Sequence, residues 1–133
     1  MQVHPVALWH ELAASKKGEG LDAFLADEAV FISPVVHTPQ EGREIVFKYL
    51  ASADKVLGGD GFTYRGEWLN ANSAILEFAN TINGIKVNGI DMITWNDAGQ
   101  ITHFKVMVRP LKAIQMVHQM MGEMLQKVAS QPS

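Results

Sequence analysis

Three features of the sequence predict an α+β domain in which a curved antiparallel sheet carries helices on its concave face. The first is a series of β-prone segments from Phe62 to Val108, separated by short turns rich in Asn and Gly. The second is that the helical patterns lie before Phe62 and after Pro110, outside that series. The third is length. A chain of 133 residues is one domain, long enough to bury about two-thirds of its unfolded surface. Helices gathered ahead of hairpin-linked strands must cover one face of the sheet that those strands form.

His4-Pro5 opens the first helix, since proline is tolerated in a first turn. Val6, Leu8, Trp9, Leu12 and Ala13 form its apolar stripe, and Lys16-Lys17-Gly18 ends it. A short second helix covers 21–26, with Leu21, Phe24 and Leu25 apolar. The first strand, 28–36, is rich in β-branched and aromatic residues and has Pro34 near its end. Residues 38–42 read as a loop. A third helix over 43–56 places Ile45, Val46, Tyr49, Leu50 and Ala53 on one face, and the glycines of 57–61 stop it. The meander then runs 62–69, 74–81, 85–95 and 100–108, with turns at 70–73, Asn83-Gly84 and 96–99. Pro110 starts a last helix over 111–128. Leu111, Ile114, Val117, Met121, Leu125 and Val128 form one stripe on it, and Met116, Met120 and Met124 a second, read as core or interface. Residues 131–133 are a frayed tail. A bent sheet wrapped around helices encloses a cone, a natural pocket for a small molecule.

Composition excludes several function classes. Net charge is −3, so no broad basic field attracts phosphate backbones, and nucleic acid is not an expected partner. No cysteine is present, which excludes disulfides, thiolate chemistry and Cys-type zinc sites. Five histidines show no pairing on one face and no HExxH, so neither a metal nor a cofactor is expected. The N-terminus lacks the pattern of a signal peptide, and no apolar run reaches the ~20 residues of a membrane span, so a cytoplasmic location is expected. Only 19% of residues are charged, which hints at a surface covered by a second copy of the chain.

Asp91 is the leading candidate for a site. It lies among Ile90, Met92 and Ile93, and a carboxylate there either points to water or is buried for a reason. If it faces the cone, Gly89 and Ile93 face inward with it. Burial would raise its pKa, making it a hydrogen-bond donor or a base near neutrality; the alternative is a structural acid within the sheet. His37, after the first strand, is a candidate acid–base group at the pocket rim or an exposed loop histidine. Phe31, Ser33, Phe104, Val106 and Val108 are expected to point inward, with Trp9, Leu25 and Leu50 closing the wall from the helices. Phe104 inside places His103 on the outer face with Thr94, Thr102, Met107 and Glu77. His10 reads as a surface residue, and Arg109 as half of an ion pair at the strand–helix junction.

Three local patterns carry a resemblance. They are Ser33-Pro34-Val35, Glu41-Gly42-Arg43-Glu44, and Ile90-Asp91 followed by the Asp97-Ala98-Gly99-Gln100-Ile101 hairpin. With the element order, they make the chain resemble, over nearly its whole length, the nuclear transport factor 2-like (NTF2-like) superfamily, in particular SnoaL-like and ketosteroid isomerase-like members. The resemblance implies a cone-shaped, cystatin-like α+β fold, often dimeric, with an apolar pocket. It leaves function open, because members include isomerases, cyclases, hydrolases and non-catalytic binders. Ketosteroid isomerases use a protonated carboxylic acid that donates a hydrogen bond, an aspartate base and a hydrogen-bonding tyrosine. The resemblance puts Asp91 at the acid, Ser33 at the base and Trp9 at the tyrosine. Serine cannot take a proton from carbon without an activating base, and an indole N–H donates but does not exchange. The expected function is therefore binding of a small apolar ligand, polycyclic or polyketide-like, with Asp91 as anchor. The alternatives are an isomerase, cyclase or hydrolase using Asp91 and His37 for proton transfer, and a protein-interaction module. A homodimer through the sheet face is also expected.

Overall fold

The computed structural model describes residues 4–15 and 20–130. Helix α1 (Val6–Ser15) and the single turn α2 (Leu21–Phe24) precede strand β1 (Leu25–Ile32). A two-residue strand β2 (Gln40–Glu41) leads into helix α3 (Arg43–Leu57). Strands β3 (Thr63–Leu69), β4 (Ser73–Ile82), β5 (Ile85–Trp95) and β6 (Ile101–Arg109) follow, and helix α4 (Leu111–Ser130) closes the chain. The expected helix end at Lys16-Lys17-Gly18 and the tail 131–133 lie outside the described residues.

The strands form one sheet in the order β2-β1-β6-β5-β4-β3. From β3 to β6 it is the antiparallel meander that the turns predict. Asn83 and Gly84 both take positive φ, 52° and 79°, which suits a two-residue hairpin turn. The purely antiparallel expectation is corrected at β1, which runs parallel to β6 and makes the sheet mixed. A parallel neighbour cannot be reached through a hairpin, so the pair is closed by the long connection through α3 and the meander. Strand β1 also lies earlier than expected. The Ser33 hydroxyl accepts the amides of Val35 and Val36 and closes a turn, and Pro34 offers no amide to a ladder. Leu25 and Ala26, expected in α2, are instead buried at the start of β1. Residues 40–41, expected as loop, pair with Phe31 and Val30.

Alternation decides what faces the helices. The buried residues of β4, β5 and β6 fall into cross-strand rows: Leu76–Asp91–Val106 and Phe78–Gly89–Val108, with Ile93 opposite Phe104. Phe104 is 2% exposed and His103 lies exposed on the other face, as the register predicts. Gly89 is required by packing. A Cβ there would lie 2.5 Å from Phe78 Cζ and 2.6 Å from the Met107 carbonyl oxygen. Helix α3 covers this face with Val46, Leu50, Val56 and Leu57, and α4 with Ala113 and Val117. On the opposite face Trp68 and Met107 are 57% and 49% exposed, beside half-buried Ile75, Ile90 and Met92. Among the described residues, no helix is long and apolar enough to cross a membrane.

Candidate active site around Asp91

Asp91 sits mid-strand in β5 between Leu76 and Val106, 7% exposed on an otherwise apolar face. Tyr64 of β3 reaches it, donating its hydroxyl proton to Asp91 Oδ2 at 3.3 Å. Trp9 of α1 donates its indole N–H to the same Tyr64 oxygen at 3.0 Å. Three segments distant in sequence thus form one chain, Trp9–Tyr64–Asp91.

Aromatic contacts hold this chain in place. Trp9 packs on Phe104 at 5.1 Å between ring centroids, and Phe104 stacks on Phe31 at 6.2 Å. Phe62 meets Tyr64 edge-on at 5.0 Å and stacks on Phe78 at 5.3 Å. Helix α1 is also tied down at both sides of Trp9. His10 Nε2 lies 2.6 Å from Glu67 Oε1, and His4 Nε2 lies 2.7 Å from the Asn70 carbonyl oxygen.

Electrostatics follow from burial. Loss of water pushes the Asp91 carboxyl up to about 7, while the Tyr64 hydrogen bond pulls it down. Burial wins because a single O–H···O contact of 3.3 Å is longer than a strong one, at about 2.5–3.0 Å, and cannot replace hydration. Tyr64 is pushed upward, first by its own burial and then by the Asp91 charge, so it remains a neutral phenol at physiological pH. Near neutrality the site therefore alternates between a carboxylate and a carboxylic acid that donates a hydrogen bond.

The sequence-predicted residues divide into two groups. Phe31, Leu25, Leu50, Phe104, Val106 and Val108 are all buried in the core that Trp9 packs against. Leu25 contributes from β1 rather than from a helix. Ser33 and His37 lie instead in the loop after β1. There the Ser33 oxygen is occupied by two backbone amides, and His37 is exposed. Tyr64 was not singled out from sequence. The signal was its i,i+2 relation to Phe62, which places both on the inner face. His10, expected at the surface, carries the Glu67 contact, and Arg109 donates to Asn88 Oδ1 at 3.3 Å rather than to a carboxylate. Among the described residues, no three His, Asp or Glu side chains gather as metal ligands would.

No protein-family model matches the chain, and no curated protein matches it. Solved structures do. The chain is similar to a steroid delta-isomerase from Pseudomonas aeruginosa, with TM-score 0.89 and 33% identity over 96% of this chain and 93% of that one. It also matches an NTF2-like protein of unknown function from Mesorhizobium loti, with TM-score 0.67 and 15% identity over 80% and 88% of the two chains. The chain belongs to the NTF2-like superfamily. A putative SnoaL-like polyketide cyclase from Jannaschia sp. CCS1 shares the NTF2-like fold at TM-score 0.65 and 12% identity, over 85% of this chain and 90% of that one. At such low identities, the last two likenesses speak for the fold alone.

Proposed function

We propose that this NTF2-like protein binds a small apolar carbonyl compound, polycyclic or polyketide-like, beneath α1, with Asp91 as its polar anchor and Tyr64 as a second donor. The observation that carries this reading is a buried carboxyl on an aromatic face, joined to Tyr64 and Trp9 in one hydrogen-bonded chain. Once Asp91 is protonated it no longer needs the single Tyr64 hydroxyl proton, so Tyr64 can turn it to the ligand, and a carbonyl oxygen is the small polar group that accepts from two donors. Trp9, Phe31 and Phe104 give the site an aromatic surround that suits a fused-ring ligand. The 33% identity to a protein described as a steroid delta-isomerase supports a ligand of that shape.

Binding without efficient turnover follows from the missing base. Moving a proton between carbons needs a group that takes and returns it; Ser33 accepts two amides and has no activating partner among the described residues. A second reading, proton transfer by Asp91 with His37, is favoured by one observation: an acid poised near 7 works in either direction. It requires the 33–39 loop to fold inward. The exposed Trp68 and Met107 support pairing with a second copy through the outer sheet face. Light scattering at micromolar concentration should then give about twice the chain mass, and a clean monomer would rule pairing out.

Tryptophan fluorescence titration tests the binding reading, with a steroidal enone and a planar polycyclic phenol as probes. Saturable quenching is expected in the native protein and its loss in Trp9→Phe. About tenfold weaker binding is expected in Asp91→Asn, the size of one hydrogen bond to a charged or strongly polar group. No saturable response to either probe overturns the reading. Little Δ5-3-ketosteroid turnover is expected from the native protein, rising in Ser33→Asp. Turnover like that of a true isomerase would favour the second reading, and loss of that turnover in His37→Ala would assign the base.

A further inference from the structure

The outer face of the sheet, opposite Asp91, holds an open recess of about 520 Å³ where β4 turns into β5. Register explains its shape. Thr63, Ala79, Asn88 and Arg109 are successive cross-strand partners across β3, β4, β5 and β6. Ala79 has the shortest side chain of that row, so the sheet is hollow there. Arg65 rises on the β3 side, Arg109 on the β6 side, and Lys86, paired with Thr81, at the hairpin end.

All three cations line the recess, and none has a carboxylate partner among the described residues. Composition does not account for this. The chain has 14 acidic residues and 11 Lys and Arg, and elsewhere Arg43 pairs with Asp27 and Lys48 with Glu44. The two arginines are also held in place by neutral oxygens. Arg65 Nε donates to Thr63 Oγ1 at 3.1 Å, and Arg109 Nη1 donates to Asn88 Oδ1 at 3.3 Å. Asn88 is fixed in turn, donating to Glu77 Oε2 and to the Phe78 carbonyl oxygen, both at 3.0 Å. Neutral acceptors orient a guanidinium without cancelling its charge, and each leaves further N–H groups to donate. Two oriented guanidinium forks and an ammonium around one hollow match an oxyanion, which accepts two parallel bonds from an arginine.

We infer that this recess is a second ligand site, on the opposite face from the Asp91 site, which takes an oxyanion group, phosphoryl or carboxylate, between Arg65, Lys86 and Arg109. The Thr81 hydroxyl and the Asn88 amide lie on the same wall and complete a polar lining. The recess is open to solvent, so attraction there is screened by salt over about 10 Å at 0.1 M. Binding should therefore weaken steadily as salt is added, unlike uptake of an apolar ligand beneath α1.

Amide NMR of the full chain, titrated separately with pyrophosphate and with citrate at low salt, tests this. Saturable shifts at 79–81 and 86–88, moving to higher concentration with added salt, are expected. Binding of pyrophosphate alone assigns a phosphoryl ligand, citrate alone a carboxylate, and both the oxyanion class. Arg65→Gln and Arg109→Gln should each weaken binding about tenfold, as expected for a lost charge-assisted bond. Ala79→Leu should fill the hollow and abolish binding while all charges remain. Absence of saturable shifts with both anions overturns the inference. So does undiminished binding in Ala79→Leu or in the triple glutamine variant, which would mark diffuse surface attraction. A change of oligomeric state in the triple variant without anion binding by the native protein also overturns it, since a carboxylate of a second copy would then be the occupant.

Discussion

Asp91 and Arg109 lie on neighbouring strands of one sheet and meet opposite environments. Asp91 faces a wall of apolar and aromatic side chains with no cation against it among the described residues, and burial decides its charge. Arg109 lines an open recess with Arg65 and Lys86, and among the described residues none of the three is ion-paired with a carboxylate. The difference comes from a period of two. Along β5, Asn88 and Asp91 are three residues apart and therefore emerge on opposite faces. A single sheet can thus hold a titrating group on one side and permanent charges on the other, insulated by one layer of backbone.

The largest test of this contrast is stability against pH. In the folded protein Asp91 titrates at about 7, and in the unfolded chain at the ordinary carboxylate value near 4. Between those values the folded state binds more protons. Stability should therefore fall as pH rises through that window and level off above 7. The full span is about 4 kcal/mol at 1.36 kcal/mol per pKa unit. Urea unfolding at pH 5 and pH 8 covers about two of those units and should show about 2–3 kcal/mol of it in the native protein and none in Asp91→Asn. The same loss in both would move its source away from Asp91.

Gly89→Ala comes next. It forces the Phe78 ring and the Met107 carbonyl apart in the row beside Asp91, costing about 1–3 kcal/mol as overpacking does. Truncating Phe78 as well should recover only part of it, because the backbone oxygen still blocks the new methyl group. Tyr64→Phe should cost about 1–3 kcal/mol above pH 7, where it strands a buried carboxylate, and less at pH 5. It should also move the Asp91 midpoint upward, because the lost bond favoured the ionised form. NMR of the Asp91 side-chain carboxyl measures that midpoint, and a downward move would show that Tyr64 does not act on Asp91 as described. The smallest effect belongs to the outer face. Lys86→Gln should change stability by no more than about 0.5 kcal/mol, equally at both pH values. A pH-dependent cost there would mean that the two faces are coupled.

How much of this was legible in the sequence depended on how far each residue's partner lies along the chain. The β5 span was readable because Asn83-Gly84 and Gly99 bound it and alternation runs through it without a break. Phe104 and His103 fell on the expected faces for the same reason. Strand β1 slid because its limits depend on distant partners: it pairs with β6, some seventy residues on in the chain, across an irregularity between Leu25 and Val30. No local pattern encodes that. Asp91 stood out as an acid among apolar neighbours. Tyr64 did not, because its role exists only once α1 and β5 are brought to either side of it. Resemblance pointed to Trp9 as the group in the tyrosine's place, and the structure puts a tyrosine hydroxyl one hydrogen bond beyond it.

The ties of α1 to β3 and its turn have a consequence for exchange with solvent. His4, Trp9 and His10 reach Asn70, Tyr64 and Glu67 through side chains, with no backbone ladder between the two elements. Such an attachment opens at lower cost than a strand leaves its sheet. If an opening of α1 returned water to Asp91, the carboxyl would regain its ordinary acidity. The closed form would then hold the extra proton below about pH 7, so mild acid would favour closing and alkali opening.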